Sequence, residues 1–309
     1  MKQITRILIV LSIVVSTIYS QQNNNSFTDA KKTRTNLVTK SSLSIPPNVP
    51  RSVFDLNSKG VNFIKAQKYD KAIECFKKAL EEAPNFVQIQ FNLATALALD
   101  GNDREAIEIL KQIVKTEPNY ANGHAGLAGS HYALGEYAES VAAYREALKL
   151  EPNNALILND YGMALHQVKE YESAMDAFNA SIKIQPDRAK VYNDRGVTLT
   201  LLERYKEASD DLQRAITIDA SLGEAHNNLG IVFEKLGKRK KAQACFQEAV
   251  RLRPNWNYAQ YNLALNYLET GKRSAALEHF GLLKKIDLEL SEKLRKHLYQ
   301  GYIIDASQK

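Results

Sequence analysis

Cysteine is nearly missing from this chain: Cys75 and Cys245 are the only two among 309 residues. They stand 170 residues apart, so no disulfide framework holds the fold, and stability has to come from packing. Neither thiol has metal-ligand spacing or a nucleophile's partners around it, and each reads as a small apolar helix residue. Net charge is missing from the body as well. Residues 1–52 carry seven Lys or Arg against Asp29 alone, and the 34 basic and 34 acidic residues that remain cancel. A neutral body with interspersed signs lacks the basic footprint of a nucleic-acid-binding protein, so no nucleic-acid partner is expected.

Long hydrophobic runs are confined to the start. Lys2 and Arg6 precede an apolar stretch from Ile7 to Tyr19, broken only by Ser12, Ser16 and Thr17. Those thirteen residues fall short of the about 20 that a membrane-spanning helix needs. A secretory signal over 1–20 is therefore expected, with export of the body, to a periplasmic or secreted location. Ile18 and Val15 spoil an Ala-x-Ala-like cleavage site, which keeps an uncleaved signal anchor, a membrane tether through residues 7–19, as the alternative. Residues 21–52 are polar, with Asn23-Asn24-Asn25, Pro46-Pro47 and Pro50, and read as a disordered linker stiffened at its end.

Proline is scarce too, eight in all, but its placement carries the fold. Pro84, Pro118, Pro152 and Pro186 are spaced by 34, Ala220 fills the next slot, and Pro254 resumes the series. A fixed period of that length means stacked supersecondary units, and such arrays lengthen one continuous core, so one elongated domain is expected. Units of 34 residues begin at Val53, Val87, Ala121, Ala155, Ala189, Gly223 and Asn257. Within the unit at Ala155, Leu158, Tyr161 and Leu165 recur at helical spacing, Lys169-Glu170 interrupts, and Tyr171, Ala174, Phe178 and Ser181 form a second helical stripe that Pro186 ends.

Position eight is always small (Gly60, Ala94, Ala128, Gly162, Gly196, Gly230, Ala264), as is position twenty, where Ser140 stands among alanines. Position twenty-four is bulky: Phe76, Leu110, Tyr144, Phe178, Leu212, Phe246 and Phe280. Close contact of two helices explains the first set, and the second fills the space beside it. Together with Tyr69, Tyr137, Tyr171 and Tyr205 at seventeen and proline at thirty-two, this pattern closely resembles the tetratricopeptide repeat over residues 53–290. Lys59 and Arg195 at position seven, Ala220 and Leu288 in the proline slot, and Ser181 in an alanine slot depart from it. The resemblance implies an all-α, right-handed superhelical solenoid of seven antiparallel helix pairs (53–86, 87–120, 121–154, 155–188, 189–222, 223–256, 257–290). Residues 291–309 then read as a capping helix and tail, with Leu294 and Leu298 in register.

No stretch is left for a catalytic domain, so no catalytic residue, metal or cofactor is expected, and the chain is not expected to be an enzyme. The resemblance implies an interaction scaffold whose groove, lined by the first helices, takes a peptide or protein segment. Position six offers short polar groups along that face: Asn92, Asp160, Asp194, Asn228 and Asn262, beside Ser58 and Gly126. An asparagine presents donor and acceptor together and can pair with an extended backbone, an arrangement similar to the asparagine ladder of the O-linked N-acetylglucosamine transferase superhelix. These five are the expected peptide-binding residues. The carboxylate-clamp pattern for acidic tails is missing, and Asp160 and Asp194 favour a neutral or basic guest. A membrane-tethered assembly factor and a substrate-recognition subunit of a separate enzyme are the alternatives. Gly123, Gly126 and Gly129 line one helix face without the surroundings of a phosphate loop, which suggests close approach by a ligand or another helix. His124, His131 and His226 fall in packing slots and read as core or half-buried imidazoles, not metal ligands.

Overall fold

The computed structural model describes residues 50–299, where fifteen α-helices follow one another and no strand occurs among the described residues. The expected signal, the linker up to residue 49 and the tail from residue 300 lie outside the described residues. The helices divide between two compact units on either side of the Gln185–Pro186 link.

The first unit holds α1 (Arg51–Lys65), α2 (Tyr69–Glu82), α3 (Val87–Leu99), α4 (Asp103–Thr116), α5 (Ala121–Ala133), α6 (Tyr137–Leu150), α7 (Ala155–Gln167) and α8 (Tyr171–Ile184). The second holds α9 (Ala189–Leu201), α10 (Tyr205–Ile218), α11 (Gly223–Lys235), α12 (Arg239–Leu252), α13 (Asn257–Glu269), α14 (Arg273–Ile286) and α15 (Leu288–Tyr299). Within each unit every helix packs on the next in sequence, and each first helix also touches the first helix of the following repeat.

Each pair turns on one backbone device. Position fifteen lies in the left-handed region in all seven repeats: Gly101, Gly135, Gly237 and Gly271 at φ 70–94°, and Gln67, Lys169 and Glu203 at φ 56–66°. One residue later the backbone N–H reaches back to the carbonyl of position eleven, as in Asn102 to Leu97 (2.8 Å) and Lys238 to Phe233 (2.8 Å), which satisfies an end-of-helix acceptor. The link to the next repeat is held differently. A donor at position four reaches the carbonyl six residues earlier: Gln90 Nε2 to Pro84 (2.8 Å), His124 Nε2 to Pro118 (2.8 Å), Tyr192 Oη to Pro186 (3.1 Å), His226 Nε2 to Ala220 (3.1 Å) and Gln260 Nε2 to Pro254 (2.6 Å). Where Ala220 replaces proline, Asp219 Oδ1 accepts from the Ser221 backbone N–H (2.9 Å) and hydroxyl (2.6 Å) and forms the turn instead.

Packing between the two helices of a repeat is set by positions eight and twenty-four. A Cβ built on Gly60 would stand 2.5 Å from the Phe76 ring, on Gly162 2.7 Å from Phe178, and on Gly230 2.5 Å from Phe246. In those three repeats the ring occupies the volume an alanine methyl would need, so glycine's helix penalty of about 1 kcal/mol is offset by burying a phenylalanine. The glycines of α5 meet a neighbouring helix in the same way. Cβ positions on Gly123 and Gly126 would lie 3.1 Å from Ile113 and 3.0 Å from Leu110 of α4.

Two boundaries differ from the periodic expectation. α1 starts at Arg51 rather than Val53, directly after Pro50, whose carbonyl accepts from Val53 N (3.1 Å). α15 starts at Leu288 rather than Ser291, because Asp287 Oδ1 accepts from Leu290 N (2.9 Å) and no proline stands in the slot to stop the helix. Leu290, Leu294 and Leu298 of α15 close the core formed by Tyr261, Ala264, Ala276 and Leu283.

Candidate binding face of the first helices

Helical periodicity puts positions two, five, six, nine and thirteen of each first helix on one face, but the hydrogen bonds decide what that face can offer. In the first unit Asn92 has no exposed surface, and its Nδ2 donates to Asn57 Oδ1 at 2.8 Å, one repeat back. Its own Oδ1 accepts from Gln88 Nε2 (3.1 Å), and Gln88 Oε1 accepts from the Tyr120 hydroxyl (3.3 Å). Burial pushes the Tyr120 phenol up to about 12, so it stays a donor at any working pH. Asn92 is thus enclosed in a chain of four side chains. Asp160 is half-buried, and its Oδ1 accepts from Asn159 Nδ2 (3.3 Å).

The second unit repeats the rung. Asn228 Nδ2 donates to Asn193 Oδ1 (2.9 Å), and Asn262 Nδ2 donates to Asn227 Oδ1 (2.9 Å), each reaching from position six to position five of the preceding repeat. Asn262 is buried, whereas Asn228 is half-buried. Asp194 is buried as well, with one oxygen on Lys190 Nζ (2.9 Å) and the other on Asn193 Nδ2 (3.2 Å), so its charge is matched inside the protein. Further along the same helices, Asn266 Nδ2 donates to Glu234 and to the Arg239 carbonyl (3.1 Å). Burial holds the Glu234 carboxyl above its ordinary range, against the pull of the Asn266 hydrogen bond.

Of the five residues singled out by position, then, Asn92, Asn228 and Asn262 form inter-repeat rungs, Asp194 forms an ion pair, and Asp160 and Asn228 retain access to solvent. The partners at position five, Asn57, Asn193 and Asn227, were equally periodic in the sequence, and that recurrence is the signal by which the rungs could have been found. An open cavity of about 430 Å³ lies elsewhere, at the link between α6 and α7, lined by Pro152, Asn154, Leu156 and Ile184. Among the described residues no group of three or more His, Cys, Asp or Glu could hold a metal ion. His131 Nδ1 sits 2.5 Å from Glu136, and burial pushes the Cys245 thiol up to about 11, which keeps it protonated. No helix among the described residues is long and apolar enough to cross a membrane.

Family models described as tetratricopeptide repeat match residues 63–129, 126–189 together with 227–285, and 187–255. No curated protein matches the chain significantly. Among solved structures, a tetratricopeptide repeat protein from Parabacteroides merdae is similar at 16% identity, with 81% of this chain and 99% of that one covered and a TM-score of 0.65. The APC/C hetero-tetramer Cut9-Hcn1 contains a chain similar at 18% identity and a TM-score of 0.69, over 85% of this chain and 52% of that one. Pseudomonas aeruginosa PilF is similar at 18% identity and a TM-score of 0.58, over 74% and 98%. At these identities the likeness is one of fold.

Proposed function

Because the chain belongs to the tetratricopeptide repeat family, we propose that it is a non-enzymatic scaffold that holds an extended protein segment against the face of its first helices. The observation that supports this is the half-buried Asn228: its Nδ2 is tied to Asn193, so the amide has one orientation and leaves its carbonyl oxygen and second N–H for a guest. A backbone amide needs that pair of groups, whatever its side chain. Asp160 places a carboxylate on the half-buried part of the face, beside Asn159 Nδ2, and a negative group there favours a neutral or basic segment. The buried rungs at Asn92 in the first unit and Asn262 in the second would then each hold their own unit's face in shape, with Asp160 the accessible group on the one and Asn228 on the other.

Export through residues 1–20 completes the reading, with release into the periplasm or medium, or a membrane tether through residues 7–19. Mass spectrometry of the native N-terminus separates the two: a start near Gln21 means release, and an intact Met1 in the membrane fraction means a tether. The groove is tested by crosslinking pull-down from native cell fractions with wild type and Asp160→Ala/Asn228→Ala. Loss of the two contacts weakens capture by about tenfold or more, and the helical circular dichroism stays unchanged. A partner captured equally by both proteins would take the guest off this face; a co-purifying enzyme would make the chain its recognition subunit.

A further inference from the structure

The edge formed by positions fourteen to twenty, where each first helix turns into its second, carries opposite charge in the two units. In repeats six and seven it holds Lys238, Arg239, Lys240, Lys241, Lys272 and Arg273 and no acid. In repeats two to four it holds Asp100, Asp103, Glu105, Glu136, Glu139, Glu170 and Glu172 against Arg104 and Lys169. All but Arg273 and Asp103 of these side chains are exposed. The whole units follow the same division: residues 50–185 contain 14 basic and 18 acidic residues, a net −4, and residues 186–299 contain 20 and 15, a net +5.

Folding accounts for half of the basic set: Arg239 pairs with Glu269 (3.3 Å), Lys272 Nζ donates to Gln243 Oε1 (2.8 Å) and Arg273 donates to the Leu298 carbonyl, which leaves Lys238, Lys240 and Lys241. Lys238 and Lys241 Nζ both gather near one ring, 5.9 and 5.7 Å from the centre of Phe233, and among the described residues neither they nor Lys240 is in an ion pair. Neither α12 nor α14 has an acidic residue in its first turn, so these cations stand beside the positive ends of their helices, which disfavours the isolated fold. A foreign nucleic-acid strand suits the edge poorly, because Phe233 is only 8% exposed beneath its lysines and offers no face for a base to stack on. A match exists in the chain itself. The acidic set occupies the same positions of the same 34-residue period, so its charges recur with the same pitch from repeat to repeat.

We propose that this protein associates with itself through charge, the basic edge of repeats six and seven in one molecule against the acidic edge of repeats two to four in a second molecule. Each molecule carries both edges, so the contact is either reciprocated in a two-fold dimer or passed on from molecule to molecule, closing into a ring or continuing into an open assembly.

Sedimentation velocity of the full chain tests this. Association is expected at about 0.01 M salt and is lost at about 1 M, where the screening length falls from about 30 Å to about 3 Å. Lys238→Glu/Lys240→Glu/Lys241→Glu and, separately, Glu136→Lys/Glu170→Lys/Glu172→Lys each weaken association by about tenfold or more, and an equimolar mixture of the two regains it, since each supplies the edge the other has lost. Circular dichroism confirms that each variant folds; if one does not, the corresponding Lys→Gln or Glu→Gln set replaces it, with loss of association again expected. A wild type of single-chain mass at low salt, a reversed variant that assembles like wild type, or a mixture that stays apart overturns the proposal. So does a monomer that takes up a fluorescent poly-glutamate peptide or anionic vesicles, which would give the edge to a foreign polyanion.

Discussion

His166 lies in α7 with no exposed surface, its ring centroid 5.4 Å from that of Tyr171. Burial pushes the imidazole down from 6.5 to about 4, because the charged form has left water. The folded protein therefore keeps a neutral ring at pH values where the unfolded chain takes up a proton. Stability from this residue is complete above about pH 6.5 and is lost as pH falls toward 4, by about 3 kcal/mol in all. His279 and His297 are shifted the same way by burial, while Glu234, raised by burial, opposes them. Urea unfolding of wild type and His166→Gln across that range checks this: the variant is expected to show the shallower slope. Two serines show what a single residue conceals in sequence. Ser181 and Ser140 both stand in alanine slots and both are buried, but Ser181 donates to the Ala155 carbonyl at 2.7 Å while the Ser140 hydroxyl has no hydrogen-bond partner among the described residues.

At the level of elements, Arg195 breaks the apolar rule at position seven, and the helix it belongs to explains neither its presence nor its tolerance. The opposing helix does. Asp211 of α10 accepts from Arg195 Nε and Nη2, both at 2.6 Å, with the side chains 20% and 11% exposed. Asp211→Ala leaves a guanidinium half out of water and is expected to lower stability by about 1–3 kcal/mol; Arg195→Leu added to it recovers most of the loss, read from denaturant midpoints. The helices and their period were legible in the proline series and in the small and bulky positions, because packing between neighbours repeats with the chain. This pair was not, since it joins Arg195 to a carboxylate sixteen residues on, and the meaning of the two exists only across the helix interface. The position-six amides were legible as a face for a similar reason, and their use was not. Periodicity gives the side on which an asparagine stands and says nothing of where its amide points, so Asn92 reads the same as Asn228 until Asn57 is found beside it.

For the molecule as a whole, the sequence conveyed an array and a neutral sum, and the sum concealed a division of charge between two units. The identity of a protein partner is written in neither, because a fold built from one repeated unit recurs with many partners. The rungs carry one more consequence. Asn262 reaches Asn227 as Asn228 reaches Asn193, donor at six and acceptor at five, so removing residues 223–256 joins Leu222 to Asn257 and brings Asn262 opposite Asn193. Gln260, likewise, would find the Ala220 carbonyl that His226 now holds. Such a shortened chain is expected to unfold in one cooperative transition by circular dichroism, with the same grammar at its new junction. The asparagine rungs thus act as interchangeable fasteners: whole words can be cut from the text, and the sentence still parses.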